Sequence, residues 1–391
     1  MRKNGLINRK EINKHSTFKS VSMGVWFLCF LVFFVFINKH QALFIAHDFI
    51  PLILFIAYVC LFRYEDTKLS PILISFGLLV FSSATHFDIF DSGTFFSYTI
   101  WLIVMGFSLE NILKKEEISA LMIAFILGSL VASVLVILQR HHYAYDGSFR
   151  FTIKVLNNDE IDPNYLASFL YIGVIFSLYK IHVQKKTKQK VLFFIAFIII
   201  VFALFMTGSR AAYIAVACAL LGYGVNVLKT TKHKIETLLA FVLIIVCCSL
   251  VVITKLSADT LERFNPKNLM DGSNIKRLAH WLAACKAFFK SPILGYGSAH
   301  TILILTKYAN HVSDAHNTYL SILLHFGLIG SIPIIVLFFK TITAFVKKQD
   351  KEWLFYFMGF LFINLIIANH LGISFWLPLL VFYQISKKEE Y

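Results

Sequence analysis

Four polar segments in an otherwise apolar chain carry residues able to handle an anion and a proton. Asp314-Ala-His316-Asn317-Thr-Tyr-Leu320 joins the long polar segment of the second half to an apolar run. An imidazole titrates near neutrality, so His316 can move a proton or, when charged, hold an anion; a structural interfacial histidine is the competing reading. Asn317 fits a helix cap. Thr207-Gly-Ser209-Arg210 separates two apolar runs, which predicts a tight helical hairpin with Arg210 at its tip. The planar guanidinium suits phosphate oxygens, and a snorkelling anchor arginine is the alternative. Arg150 lies in Ser148-Phe-Arg150-Phe-Thr152, shortly before Asp162-Pro163-Asn164. That tripeptide reads as a helix cap with proline in the first turn, which leaves backbone N–H groups to seat an anion. From Asn274 to Pro292, the residues Ile275, Leu278, Leu282, Cys285 and Phe289 recur at helical spacing. This predicts an amphipathic helix lying on a membrane, with Arg277 near its start either facing the site or simply carried along. Pro292-Ile-Leu-Gly295-Tyr-Gly297 is expected to be a flexible turn where backbone approaches a ligand closely. The acidic run Asp159-Glu-Ile-Asp162 has no ligand spacing that would favour a divalent cation over a solvated loop, and no cofactor or metal is expected.

The elements that must position these residues are membrane spans. With 58% hydrophobic and 15% charged residues and a mean hydropathy of +0.72, the composition excludes a water-soluble domain. The net charge of +15 fits basic links against anionic lipid head groups better than nucleic acid. Five of the six cysteines lie in apolar runs and none has disulfide or metal spacing. About 20 apolar residues cross a bilayer, and runs of that order are expected at 21–37, 43–62, 69–85, 95–113, 118–139, 163–181, 190–207, 211–228, 235–255, 317–346, 352–369 and 371–386. The fold class is therefore all-α and polytopic, with about twelve transmembrane helices. A long external loop, 256–316, separates spans nine and ten. The run 317–346 is too long for one straight crossing and carries Gly327, Gly330 and Pro333, so a short helix, a break and then the true span are expected.

Alternate links differ in basic residues, which orients the chain. The N-terminal segment 1–20, Lys114 with Lys115, the lysines from Lys180 to Lys190, Lys229, Lys347 with Lys348, and the tail 387–391 are expected to be cytoplasmic. A single membrane domain spans 21–386, its first run a retained anchor rather than a signal peptide. The links near Asp88 and Asp91 and near Asn369 and His370 then face outside, together with Arg150, Asp162, Arg210, Arg277 and His316. Arginines outside run against the topological bias, and a bound anion explains them most simply.

Taken in order, Arg150, Asp162-Pro163-Asn164, Thr207-Gly208-Ser209-Arg210, Arg277 to Trp281, Pro292 to Gly297, His316-Asn317-Thr-Tyr-Leu320 and Gly327-Leu-Ile-Gly330 resemble the O-antigen ligase and O-antigen polymerase superfamily, including the Wzy-type capsular polysaccharide polymerases. The resemblance covers roughly residues 145–345. It implies a C-type glycosyltransferase-like membrane fold in the bacterial cytoplasmic (inner) membrane. It also implies metal-independent transfer of a glycan from a polyprenyl (undecaprenyl) diphosphate on the outer face. Carried onto this chain, Arg210, Arg277 and Arg150 would bind the diphosphate and His316 would activate the acceptor hydroxyl. Asp162, Asn164, Ser209, Asn317, Gly295 and Gly297 would support them. A polymerase that moves a growing chain onto the next lipid-linked repeat is the favoured branch, with a flippase and a chain-length regulator as partners. A ligase with a different acceptor is the alternative within the family. Outside it, the alternative is a lipid-linked oligosaccharide flippase or other transporter. Such proteins place polar sites near the bilayer midplane, whereas the candidates here collect at one interface; His47 and Asp48, within an apolar run near its external end, are the main exception, and either line the same cavity or cap a helix.

Overall fold

The computed structural model describes residues 21–41, 53–57, 70–109, 113–142, 150–154, 160–230, 272–310 and 314–387. Most of the expected spans 43–62 and 235–255, together with His47 and Asp48, lie outside the described residues. The chain is mostly helical. In order come α1 (Met23–Gln41), α2 (Ile72–Thr85), α3 (Ser92–Ser108), α4 (Lys115–Gln139), the short strands β1 (His141–His142) and β2 (Phe151–Thr152), α5 (Pro163–Val183), α6 (Thr187–Met206) and α7 (Arg210–Thr230). After them follow α8 (Gly272–Phe288), α9 (Thr301–Leu305), α10 (Thr318–Lys347), α11 (Lys351–Ile366) and α12 (Ile373–Lys387). Among the described residues five helices, α4, α5, α6, α7 and α10, are long and apolar enough to cross a membrane. With the shorter apolar α1, α2 and α3 they make a polytopic membrane protein.

Helix α5 is the centre of the bundle. It packs against α4, α6 and α7, and Leu166 through Leu178 are all buried. A helix apolar all round has no exposed stripe to give up and settles inside. The antiparallel β1 and β2 pair His141 with Thr152 and His142 with Phe151, and lead from α4 back to the start of α5.

Connectivity sorts the links into two ends. At one end, Arg150 meets Thr207 and Asn164, the Tyr165 hydroxyl donates to the Ala368 carbonyl, Thr318 donates to the Ile367 carbonyl and the Asp91 amide to that of Ser298. At the other end, Lys180 reaches Ser119, Lys348 the Ser386 carbonyl and Lys387 the Leu109 carbonyl. The links that carry Lys180, Lys348 and Lys387 thus lie opposite the end that holds Arg150, Arg210 and His316.

The expected break in α10 falls at Gly327, whose φ of 59° and ψ of −167° leave the helix. A continuous helix would bond Leu328 N to Leu324 O and Ile329 N to His325 O. Instead the segment after α8 takes all four groups. Tyr296 N and Gly297 N donate to the carbonyls of Leu324 and His325 at 2.8 and 2.9 Å, while Leu328 N and Ile329 N donate to the carbonyls of Pro292 and Ile293 at 2.8 and 3.2 Å. This corrects the expectation that the Gly295 and Gly297 turn approaches a ligand: the backbone it approaches is that of the broken helix. A Cβ on Gly295 would lie 2.5 Å from Gly327 N and 2.6 Å from Leu324 O, and its φ of 69° is itself left-handed. Gly295→Ala should therefore cost about 2 kcal/mol or more of stability. Thermal unfolding in detergent measures it, and an unchanged midpoint would contradict the seam.

Candidate functional site

The starts of α5 and α10 and one hairpin lie at the arginine-bearing end. Asp162 caps α5 as expected, its side chain accepting from Asn164 N at 2.6 Å, with Pro163 in the first turn. Asn317 caps α10, its side chain accepting from Tyr319 N and Leu320 N at 3.0 Å each. The hairpin between α6 and α7 turns at Gly208, φ 65°, and the Tyr213 hydroxyl ties its arms by donating to the Phe205 carbonyl at 2.7 Å. Arg210 is the first residue of α7 and partly exposed, while Ser209 is buried in the turn.

Arg150 is 3% exposed and ties these pieces together. Its Nε donates to the Thr207 carbonyl at 2.9 Å and its Nη2 to Asn164 Oδ1 at 2.8 Å, so one guanidinium braces the hairpin against the start of α5. A buried guanidinium satisfied in this way rigidifies its surroundings. Arg150 accordingly serves as scaffold between Asn164 and the turn that carries Arg210.

A second group forms around His316. Its backbone is left-handed, φ 46°, a conformation that costs about 1 kcal/mol or more for a residue with a side chain. Trp281 Nε1 donates to the His316 carbonyl at 3.4 Å, and the His280 ring stacks on the His316 ring. Burial, above all, pushes the His316 imidazole down to about 4; charges on His280 and Arg277 act the same way and Asp162 opposes them. Arg277 and Asp162 therefore both lie within electrostatic reach of His316. The α5 start relates the two groups, with Asp162 within electrostatic reach of His316 and Asn164 holding Arg150.

Gly295 and Gly297 stand apart, in the seam against α10, where the Gly297 carbonyl lies 2.6 Å from His325 Nδ1. Within the acidic run, Glu160 pairs with His141 at 2.5 Å and Asp162 is a cap, while Asp159 lies outside the described residues. No group of three metal-ligating side chains occurs among the described residues.

Two neighbours were missed from sequence. His280 follows Arg277 by three residues, a spacing that puts both on one helix face; nothing local told which face would turn inward. Asp314 is partly accessible, yet its surroundings are apolar enough that burial pushes its carboxyl up to about 7, against a hydrogen bond from Ala315 N. Because the folded protein holds this proton more tightly than the unfolded chain, Asp314 favours folding most below about pH 4 and loses that contribution as pH rises through about 7. Asp314→Asn should raise the unfolding midpoint at pH 8 and leave it nearly unchanged at pH 4.5. Equal effects at both values would remove the strained carboxyl.

Comparison with known proteins covers part of this region. Residues 195–335 match the family model described as O-antigen ligase. No curated protein matches the chain. The matched segment, just over a third of the 391 residues, runs from α6 through the hairpin, Arg277, His280 and His316 to the break in α10. Arg150 and Asp162 to Asn164 precede it and are tied into it by the contacts above. Residues 195–335 are thus similar to the O-antigen ligase family, which supports a relation to the O-antigen ligase and polymerase superfamily.

Proposed function

We propose that the protein is a polysaccharide polymerase of the cytoplasmic membrane. It would transfer a growing glycan from a polyprenyl diphosphate to the next lipid-linked repeat, at the outer face. The observation that carries this reading is the convergence of Arg277, Asp162 and His316 at the end of the bundle opposite the basic links. By the positive-inside bias the lysine end is cytoplasmic and the arginine end external, with about twelve spans in all.

The chemistry follows from charge. The acceptor hydroxyl oxygen bonds to the donor sugar's anomeric carbon as the bond from that carbon to the diphosphate breaks, and the electron pair leaves with the lipid diphosphate. Arg210 and Arg277 hold the charge that develops there, with Arg150 bracing the hairpin behind Arg210. His316 takes the hydroxyl proton. Its imidazole, held near 4 by burial, is neutral at physiological pH, which supports the role of proton acceptor over that of a fixed cation. No metal is needed where arginines carry the leaving-group charge.

The family description supports a second reading, a ligase that delivers the same donor's glycan to a different acceptor. Purified protein incubated with lipid-linked repeats separates them: a ladder of products marks a polymerase, and transfer only to an added acceptor marks a ligase. Unchanged substrate would sink both.

Two predictions test the residues. Arg210→Ala and Arg277→Ala should each lower glycan transfer at least about 100-fold with normal membrane abundance, and normal chain length in both would remove the diphosphate role. His316→Ala should reduce turnover while donor binding persists, and the wild-type rate should fall on acidification only toward pH 4. A rate already halved near pH 6.5 would contradict the depressed imidazole.

A further inference from the structure

His280, stacked on His316, has no role in this mechanism. It is 8% exposed and lies on the inward face of α8 with Ala283, Ala284 and Ala287. Small alanines let α8 approach α10 closely, and His280 fills the gap at the level of His316. The two imidazole rings lie nearly parallel, 15° apart, with centroids separated by 5.0 Å. Trp281, the next residue, holds the His316 carbonyl. Helix α8 therefore grips both the backbone and the ring of His316.

We propose that His280 is a positioning residue for His316: its ring fixes the His316 ring by stacking, and the two imidazoles act as a pair that takes up no more than one proton at a time. The proposal rests on His316 being the proton acceptor. Two cations at this separation repel strongly, so protonation of either ring opposes protonation of the other. The groups facing His316 are His280 and Arg277 from α8, which disfavour its charge, and Asp162 from the α5 start, which favours it. Asp314, on the same loop, lies toward Tyr98 and Tyr165. When the acceptor hydroxyl gives its proton to His316, the new imidazolium rests against a neutral partner ring. It then returns the proton to solvent before the next transfer, so the pair begins each cycle uncharged.

Protein labelled with 15N-histidine and held in lipid nanodiscs tests the pairing without any turnover. His316 and His280 are assigned by the resonances lost in His316→Gln and His280→Phe. In the wild type the pair should titrate in two separated steps; one joint two-proton step near pH 6.5 would overturn the proposal. His280→Phe keeps an aromatic ring and removes the charge, so His316 should titrate about 0.5 to 2 pH units higher. The acid limb of glycan transfer should move up by the same amount, with the donor KM unchanged. An unmoved His316 titration in this variant would also overturn it. If the titration moves while the wild type transfers no glycan, the pairing stands and the catalytic assignment of His316 falls.

Discussion

The broken helix α10 sets the constraint on which the rest of the structure depends. A helix interrupted inside an apolar body exposes backbone groups that neither lipid nor hydrocarbon side chains can satisfy, at a cost of several kcal/mol each. The break at Gly327 forgoes two helical bonds, and the segment from Pro292 to Gly297 replaces them with four. That segment is fastened to α2 in turn: Ser82 donates to the Gly295 carbonyl, and Ser298 N donates to Ser83 Oγ. The first half of α10 is thereby aimed independently of the second, and His316 and Asn317 sit at its tip.

The start of α5 plays the complementary part. It belongs to the most buried helix, so its position is set by packing on all sides. From that fixed point Asp162 acts electrostatically on His316 and Asn164 holds Arg150, which holds the hairpin of Arg210. A single tripeptide thus links the group around His316 to the group around Arg150. Two of these anchoring residues, Arg150 and Asn164, lie outside the matched family segment.

Much of this was legible in the sequence where the signal is local. The caps at Asp162 and Asn317, the hairpin at Thr207 to Ser209 and the break at Gly327 follow from cap chemistry, glycine and proline, and all appear in the structure. Signals that need a tertiary partner were not legible. Gly295 and Gly297 announced a close approach without saying to what. Arg150 looked like a ligand for an anion, and only its contacts with Thr207 and Asn164 reveal a brace. His280 and Asp314 owe their character to desolvation, which composition cannot report. The apolar stripe of α8 was read as the face of a helix lying on a membrane, and Ile275, Leu278 and Leu282 do point outward at 49 to 54% exposure; that alanines would fill the inner face was not read.

That outward stripe has a geometric consequence. A helix whose bulky residues face lipid floats at a depth set by the bilayer rather than by the protein. Arg277 and His280 ride on this float, and Trp281 ties it to His316. Head-group depth then becomes the reference plane of the site. Any reactant that is itself held at the bilayer surface meets such a helix in a plane rather than in a volume, so membrane thickness bears on how the two meet.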